Sequence, residues 1–288
     1  MTTPHLLIFG LGYTGLRLAR ECLAAGWRVS GTVRDAEKAA RLAVEGIAAH
    51  AFTPGRTLPE ADLATVTHVL DTTVPDASGA APIAEIRRLA AAGVRPAWAG
   101  MLSSTAVYGD CAGQWVDETA RPNPGSAQGR ARLLAETQWL TWGAEIKTAT
   151  HIFRLPGLYG PGRSALDAAR EGTARRIHRT GHRTSRVHVD DVVAALRLSM
   201  AAPNPGRIYN VADDEPAPNA EVVEFACTLL GVEPPPLERY EDLTPTDPRL
   251  RFLRESRLVS NARLKAELAW TPCYPSYREG LKAAFTEG

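Results

Sequence analysis

A chain of 288 residues is long for a single core and normal for one nucleotide-binding domain with an appended smaller lobe. Hydrophobic residues make up 44% and charged residues 23%, an ordinary globular composition, and a net charge of +1 excludes any global attraction to nucleic acid or an anionic membrane. The four cysteines (Cys22, Cys111, Cys227 and Cys273) form no C-x-x-C pair, which argues against a zinc site or a disulfide framework and fits a reducing cytoplasm.

In chain order, "LLIF" (6–9) is a short apolar run stopped by a glycine and predicts a buried strand. The surrounding "MTTPHLLIFGLG" has no basic n-region, so a strand is expected there and not a signal peptide. No window approaches the ~18 apolar residues of a membrane span. "LRLARECLAAG" (16–26) has helical spacing ending at a glycine, "WRVSGTV" (27–33) reads as a second strand and "AEKAARLAVEG" (36–46) as a second helix. Further strands are predicted at "THVLDTT" (67–73), "AWAGMLSS" (97–104) and "TATHIFRL" (148–155), with helices at 79–93 and 126–143 between them. The strands are continuous apolar runs rather than alternators. That is the pattern of an α/β fold with a doubly wound parallel sheet covered on both faces.

After about residue 160 the pattern changes. A basic helix and loop is predicted over 164–186, an amphipathic helix over 190–200 and a strand over 207–213. Residues 163–186 carry seven arginines against Asp167 and Glu171, a net +5, whereas 213–247 hold ten acids against Arg239, a net −9. Two readings stand: the segments face each other or the solvent, or the basic arm meets an anionic ligand.

"GLGYTG" places Gly10, Gly12 and Gly15 in G-x-G-x-x-G spacing, directly after a strand and at the start of a helix. That context makes it a dinucleotide site: a tight turn at Gly10, close backbone approach to a pyrophosphate at Gly12, and close helix–sheet packing at Gly15. An NAD site presents an acid to the ribose 2′-OH about 20 residues on. "GTVRD" instead places Arg34 there, 19 residues past Gly15. A guanidinium suits a 2′-phosphate, so NADP is expected. Asp35 reads as the N-cap of the next helix; a shift of one residue would bring it to the ribose and make NAD the coenzyme.

At "LSSTAVYGD" (102–110) the chain comes to resemble the extended short-chain dehydrogenases/reductases, the NAD-dependent epimerase/dehydratase group. "RLPGLYGPG" (154–162), "RVHVDDVVAAL" (186–196), "GRIYNVADDEP" (206–216) and "WTPCYPSYREGLKA" (270–283) resemble the family's later segments in matching order. The resemblance implies a Rossmann-like core over 1–160 and a substrate lobe over 161–288, with about 187–213 returning to the core. It implies a homodimer and a small, anionic substrate such as a nucleotide sugar, held by a soluble cytoplasmic enzyme. The residues it places at the coenzyme are Gly10, Gly12, Tyr13, Thr14, Gly15, Arg34, Thr73, Ser103, Arg132 and Pro156.

In that family a Ser or Thr bonds the substrate oxygen, a Tyr moves the proton, and a Lys four residues later lowers the Tyr pKa and holds the nicotinamide ribose. Ser104 matches the first position. The Y-x-x-x-K helix falls on "QGRAR", so Gln128 replaces the Tyr and Arg132 the Lys. Arg132 keeps a fixed positive charge for ribose hydroxyls, but Gln128 has no proton to give. Thr105 and Ala106 stand where dehydratases carry an acidic pair, which counts against dehydration. The chain is thus an atypical member, an NAD(P)-dependent oxidoreductase or epimerase whose proton donor is displaced, or a binding module that has lost turnover. Tyr108 and Tyr159 are the substitute acids considered, although packing is the commoner role for a tyrosine in such a turn or loop. His188 and His151 read as structural histidines. Arg154, Arg163 and Arg186 suit a phosphate or carboxylate, or pairing with the acidic segment. Trp115 lies on a loop that covers substrate or packs at the surface. "DDE" (213–215), followed by Pro216, reads as a turn, and no metal is assigned.

Overall fold

The computed structural model describes residues 3–244, 247 and 250–287. Its elements run β1 (His5–Phe9), α1 (Tyr13–Ala24), β2 (Arg28–Val33), α2 (Ala36–Val44), β3 (Ala48–Ala51), α3 (Glu60–Leu63), β4 (His68–Asp71), α4 (Ile83–Ala91) and β5 (Trp98–Ser104). There follow β6 (Trp115–Val116), α5 (Ala127–Ile146), β7 (Ala149–Leu155), β8 (Gly157–Tyr159), α6 (Ala165–Arg170), β9 (Arg176–His178), β10 (Arg186–His188) and α7 (Val189–Ala201). The chain closes with β11 (Ile208–Asn210), α8 (Asn219–Leu230), β12 (Leu237–Arg239), α9 (Arg251–Arg254), β13 (Leu258–Val259), α10 (Ala262–Leu268) and α11 (Tyr277–Glu287). Two compact units emerge: Met1–Ser104, Ser126–Arg154 and Val193–Tyr209 form the first, and Thr105–Gly125, Leu155–Val192 and Asn210–Gly288 the second.

The first unit is built on a seven-stranded sheet of order β11-β7-β5-β4-β1-β2-β3. Every pairing from β3 to β5 is parallel, with Ile8 of β1 opposite Gly31 of β2 and Leu70 of β4. This is the Rossmann-like doubly wound sheet expected. All five residues of β1 are buried, because alternate side chains serve opposite faces. Leu7 and Phe9 join Val69, Met101, Ile152 and the helix residues Ile86, Leu89, Trp139 and Trp142 in one apolar cluster. Burying either indole in that layer contributes about 3 kcal/mol. On the other face α1 lies against Ile8 so closely that a Cβ on Gly15 would come 3.1 Å from the Ile8 Cγ2. β1 stands between β2 and β4, so chain order reverses there, and the crevice past the ends of these strands is where such sheets bind ligands.

One buried polar group inside this unit is satisfied locally. His151 bonds Ser199 Oγ (2.8 Å) through Nδ1, and its Nε2 accepts from Asn204 N (2.9 Å). The indole of Trp98 donates to the same hydroxyl at 2.9 Å. Burial lowers the His151 pKa to about 4, so the ring is neutral at ordinary pH and belongs to the core.

The second unit has three two-stranded parallel pairs, β8/β10, β9/β12 and β6/β13, and the helices α6, α8 and α11 close around Leu166, Val222, Ala226, Tyr277 and Leu281. Strand β9 lies within the stretch read as basic loop, and α8 within the Pro- and acid-rich stretch. The basic and acidic segments do face each other at two points. Arg175 bonds Glu238 through Nε at 2.8 Å and Asp247 through Nη1 at 3.0 Å, and Arg176 pairs with Glu224. No helix among the described residues is long and apolar enough to cross a membrane.

Candidate functional site

The glycine turn joins β1 to α1. Gly10 has φ +90°, a left-handed conformation, and a Cβ there would lie 2.8 Å from Thr72 Oγ1. A Cβ on Gly15 would come 2.6 Å from the Gly10 carbonyl oxygen. Gly12 is different: it is the N-cap of α1, no side chain caps the helix, and a Cβ on it would meet nothing within 4 Å. Gly10 and Gly15 therefore answer to the protein's own packing, whereas the space before Gly12 is open to a ligand. Tyr13 is half-buried and Thr14 buried in the first turn.

The end of β4 supplies the facing wall. Thr72 Oγ1 donates to Gly10 O at 2.5 Å, tying the two strand ends together. Asp71 is buried; its carboxylate accepts from Thr73 N (2.8 Å), Thr73 Oγ1 (2.6 Å) and Trp139 Nε1 (2.9 Å). Burial raises its pKa, against the opposing pull of these bonds and of the Arg132 charge. Thr73 is thereby held beside Gly10, whose added Cβ would be 3.3 Å from Thr73 Cγ2.

Helix α5 begins at Ser126, which caps it by accepting from Gly129 N at 3.0 Å. Gln128, Arg132 and Glu136 follow at intervals of four and so form one stripe. Arg132 Nη1 donates to Leu102 O (2.6 Å) and Thr73 O (3.2 Å), bridging the ends of β4 and β5. Its Nε is buried without a hydrogen-bond partner, and Nη2 makes no bond to the protein. Burial lowers the Arg132 pKa, opposed by Asp71 and Glu136, and the guanidinium stays charged at any ordinary pH. Glu136 accepts from Ser103 Oγ at 2.6 Å and pairs with Arg154 through two bonds of 3.0 and 2.7 Å, all three groups being buried. Ser104 ends β5 half-buried, and the exposed side chain of Gln128 makes no hydrogen bond to a described residue.

At the end of β2, Arg34 is exposed and makes no ion pair or hydrogen bond with a described residue. Asp35 caps α2 by accepting from Glu37 N (2.9 Å) and Lys38 N (3.2 Å). Lys38 reaches back to Leu11 O at 2.9 Å, adding a second cation at the glycine turn. Thus Gly10, Thr73 and Arg132 are brought into one neighbourhood, with Ser103 linked to it through Glu136.

The other candidates belong to the second unit. Pro156 is half-buried after β7. Tyr108 is buried and donates its phenol to Asn210 Oδ1 at 2.8 Å. Tyr159 is buried, bonds Ser276 O at 3.3 Å, and its pKa is raised by burial and by the nearby Asp213 carboxylate. His188 Nδ1 accepts from Asp190 N at 3.3 Å, the structural role expected of it. Asp213 is buried, Asp214 pairs with Lys265 at 2.6 Å and Glu215 pairs with Arg278, so the "DDE" carboxylates diverge. Trp115 is 58% exposed on β6. A cavity of about 490 Å³ lies between α6, α8 and α11, with Arg163, Arg175 and Arg186 among its lining residues.

Asp71, Glu136 and Lys38 were not singled out from the sequence. A lone acid ending the apolar run "THVLD" marks Asp71, and carrying the Gln128/Arg132 spacing one step further reaches Glu136. Lys38 has no such signal, because one more lysine on an amphipathic helix looks like solvent-facing charge.

An α/β sheet with an open glycine turn at its reversal point defines a dinucleotide-binding protein of the Rossmann-like class. The chain belongs to the NAD dependent epimerase/dehydratase family, whose sequence model matches residues 6–212. It is 32% identical over 286 residues to Protein YeeZ of Escherichia coli K12, covering 93% of this chain and 95% of that one. It is 33% identical over 217 residues to a 3-diazoavenalumate denitrifying reductase of Streptomyces, covering 70% and 66%. A solved protein of unknown function from Silicibacter pomeroyi superposes with a TM-score of 0.89 at 40% identity, covering 99% of both chains. The UDP-glucuronic acid 4-epimerase of Bacillus cereus, solved with UDP-glucuronic acid and NAD, has a TM-score of 0.78 at 17% identity over 98% of each chain and shares the fold.

Proposed function

We propose that the first unit binds NADP(H) and that the chain is an oxidoreductase or epimerase moving hydride to or from a small anionic metabolite. A nucleotide sugar, as in the Bacillus cereus epimerase, is one example of that class. The single observation that carries the reading is Arg132. Two strand-end carbonyls fix its Nη1, while its buried Nε and its Nη2 have no protein partner, beside a glycine turn with open space before Gly12. A guanidinium so placed is set for the hydroxyls of a bound ribose. The unpaired Arg34 suits a 2′-phosphate, and the rival acid Asp35 is spent on a helix cap. The remaining coenzyme contacts of the first unit in this reading are Gly10, Gly12, Tyr13, Thr14, Gly15, Thr73 and Ser103.

The coenzyme, when bound, supplies or accepts hydride. Ser104 and the Gln128 amide orient the reacting oxygen, and neither titrates, so the proton passes through water or the substrate itself. Tyr108 and Tyr159 would have to give up their bonds to Asn210 and Ser276 to act instead. The Gln128 amide, which cannot titrate, also favours a second reading, a protein that senses NADP(H) without turnover.

NADPH carrying deuterium at the transferable position, incubated with the protein and a metabolite extract, separates the two. Label appearing in a metabolite supports the enzyme, saturable binding without transfer leaves the sensor, and no binding removes both. A Gln128→Tyr, Arg132→Lys double variant that gains no reductase activity on any family substrate would count against this placement of α5.

A further inference from the structure

The cavity of the second unit has one unspent ionic anchor. Arg186, at the start of β10, donates Nη1 to Thr184 O (2.7 Å) and Ala217 O (2.9 Å), which fixes the plane of its guanidinium. Its Nε and Nη2 make no bond to the protein. Those two donors form the edge of the fork that matches a carboxylate. Thr184 Oγ1, also lining the cavity, is buried without a hydrogen-bond partner.

Several other polar groups around the cavity are already used. Arg175 is neutralised by Glu238 and Asp247. Asn219 Oδ1 accepts from Ile177 N, Thr173 Oγ1 donates to Ala168 O, and Ser164 Oγ is tied to Asp167. Arg163 is exposed, so its field is screened by solvent. Much of the remaining wall is apolar: Leu158, Ile177, Val222, Val223 and Leu281.

We propose that this cavity holds an amphipathic monocarboxylate, its carboxylate on the free edge of Arg186 and the Thr184 hydroxyl, and its flat or aliphatic body between α6, α8 and α11. The proposal deepens the substrate class of the function above and rests on that reading for its link to hydride transfer. A nucleoside diphosphate would bring two phosphates and several hydroxyls to a wall whose polar groups, apart from that anchor, are largely occupied. Asp213 supports the same view. It is buried beside Arg186 with neither oxygen hydrogen-bonded, and burial raises its pKa to about 8 against the pull of the guanidinium, which weakens its hold on the arginine.

Calorimetric titration of the full chain with cinnamate, and separately with UDP, tests this, each with and without saturating NADPH. Cinnamate is expected to bind, and UDP is expected not to. Arg186→Met is expected to weaken cinnamate about tenfold or more. Because that variant also loses two backbone tethers, Ala168→Leu serves as the second probe: it fills the cavity, keeps Arg186, and is expected to block cinnamate equally. Tighter binding of UDP than of cinnamate, absence of cinnamate binding, or cinnamate binding unchanged in Ala168→Leu overturns the proposal. Failure of NADPH to bind while cinnamate still does would instead strike the coenzyme reading alone.

Discussion

Replacing Arg34 with methionine keeps most of the side-chain stem and removes the charge. Arg34 has no partner among the described residues, so no protein interaction is lost and the fold should be unaffected. What is lost is the contact with a 2′-phosphate. Hydrogen bonds to charged groups contribute roughly 1.5–3 kcal/mol, and an exposed site lies at the low end because water and salt screen it. At about 1.4 kcal/mol per decade, the NADPH dissociation constant should rise about ten- to thirtyfold, while that of NADH changes less than about threefold. Nicotinamide fluorescence titrations with both coenzymes read this directly. The NADPH advantage of the native chain should also shrink as ionic strength rises from 0.05 to 0.5 M, since the ~10 Å screening length at 0.1 M shortens further. Asp35→Ala is the control. It removes the cap of α2, costing about 1 kcal/mol of stability, and leaves coenzyme preference in place. Equal weakening of both coenzymes by Arg34→Met, or selective loss of NADH in Asp35→Ala, would refute the reasoning and place the acid on the ribose.

The other expectations concern the same frame. Gly12→Ala should unfold within about 1 kcal/mol of the native chain but bind coenzyme at least about tenfold more weakly, since its Cβ meets open space that a pyrophosphate would fill. Gly15→Ala should instead lower stability by about 1–3 kcal/mol in urea titration, its Cβ lying 2.6 Å from the Gly10 carbonyl; matched effects of the two variants would mean that Gly12 is not a ligand position. Glu136→Gln strands the buried Arg154 charge and should cost about 3–5 kcal/mol, with Arg154→Met added in the double variant restoring most of it; a single variant of native stability would show the pair to be inert. Asp213→Asn should stabilise the chain. Its folded pKa of about 8 exceeds the unfolded value, so the native protein carries no penalty below about pH 4, a growing one between 4 and 8, and a constant one above. The gain at pH 7 should be a few kcal/mol and should vanish toward pH 4; a gain independent of pH, or a loss, would show that Asp213 is ionised and paired with Arg186.

The sheet was legible where burial on both faces leaves a continuous apolar run, as in "LLIF" and "THVLD", and where a glycine closes the helix. It was not legible at β3, whose "AAHA" lies exposed to half-buried at the sheet edge and needs no branched or aromatic residue. Nor was α8, because "NAEVVEFACTLL" is embedded among prolines and acids whose composition suggests loop, while its apolar face is buried against α6, α11 and β9. Charge showed a similar limit. Seven arginines and ten acids were visible, but only three-dimensional placement separates Arg175, consumed by two carboxylates, from Arg186, which lines a cavity with only its Nη1 hydrogen-bonded. The site was read furthest where one helix carries it: the fourfold spacing of Gln128 and Arg132 already placed both on one stripe, and the structure adds what each can do there. Arg132 is clamped by two carbonyls with donors left over, and the Gln128 side chain has neither a titratable proton nor a hydrogen bond to a described residue. A lysine in that position would spread three rotating donors over the same carbonyls, whereas the planar guanidinium commits one nitrogen to them and keeps the others fixed in direction. Under the proposed coenzyme reading, an arginine in place of the family's lysine would keep a positioning cation on this helix while a glutamine in place of its tyrosine would supply no acid, and the two substitutions need not share a cause.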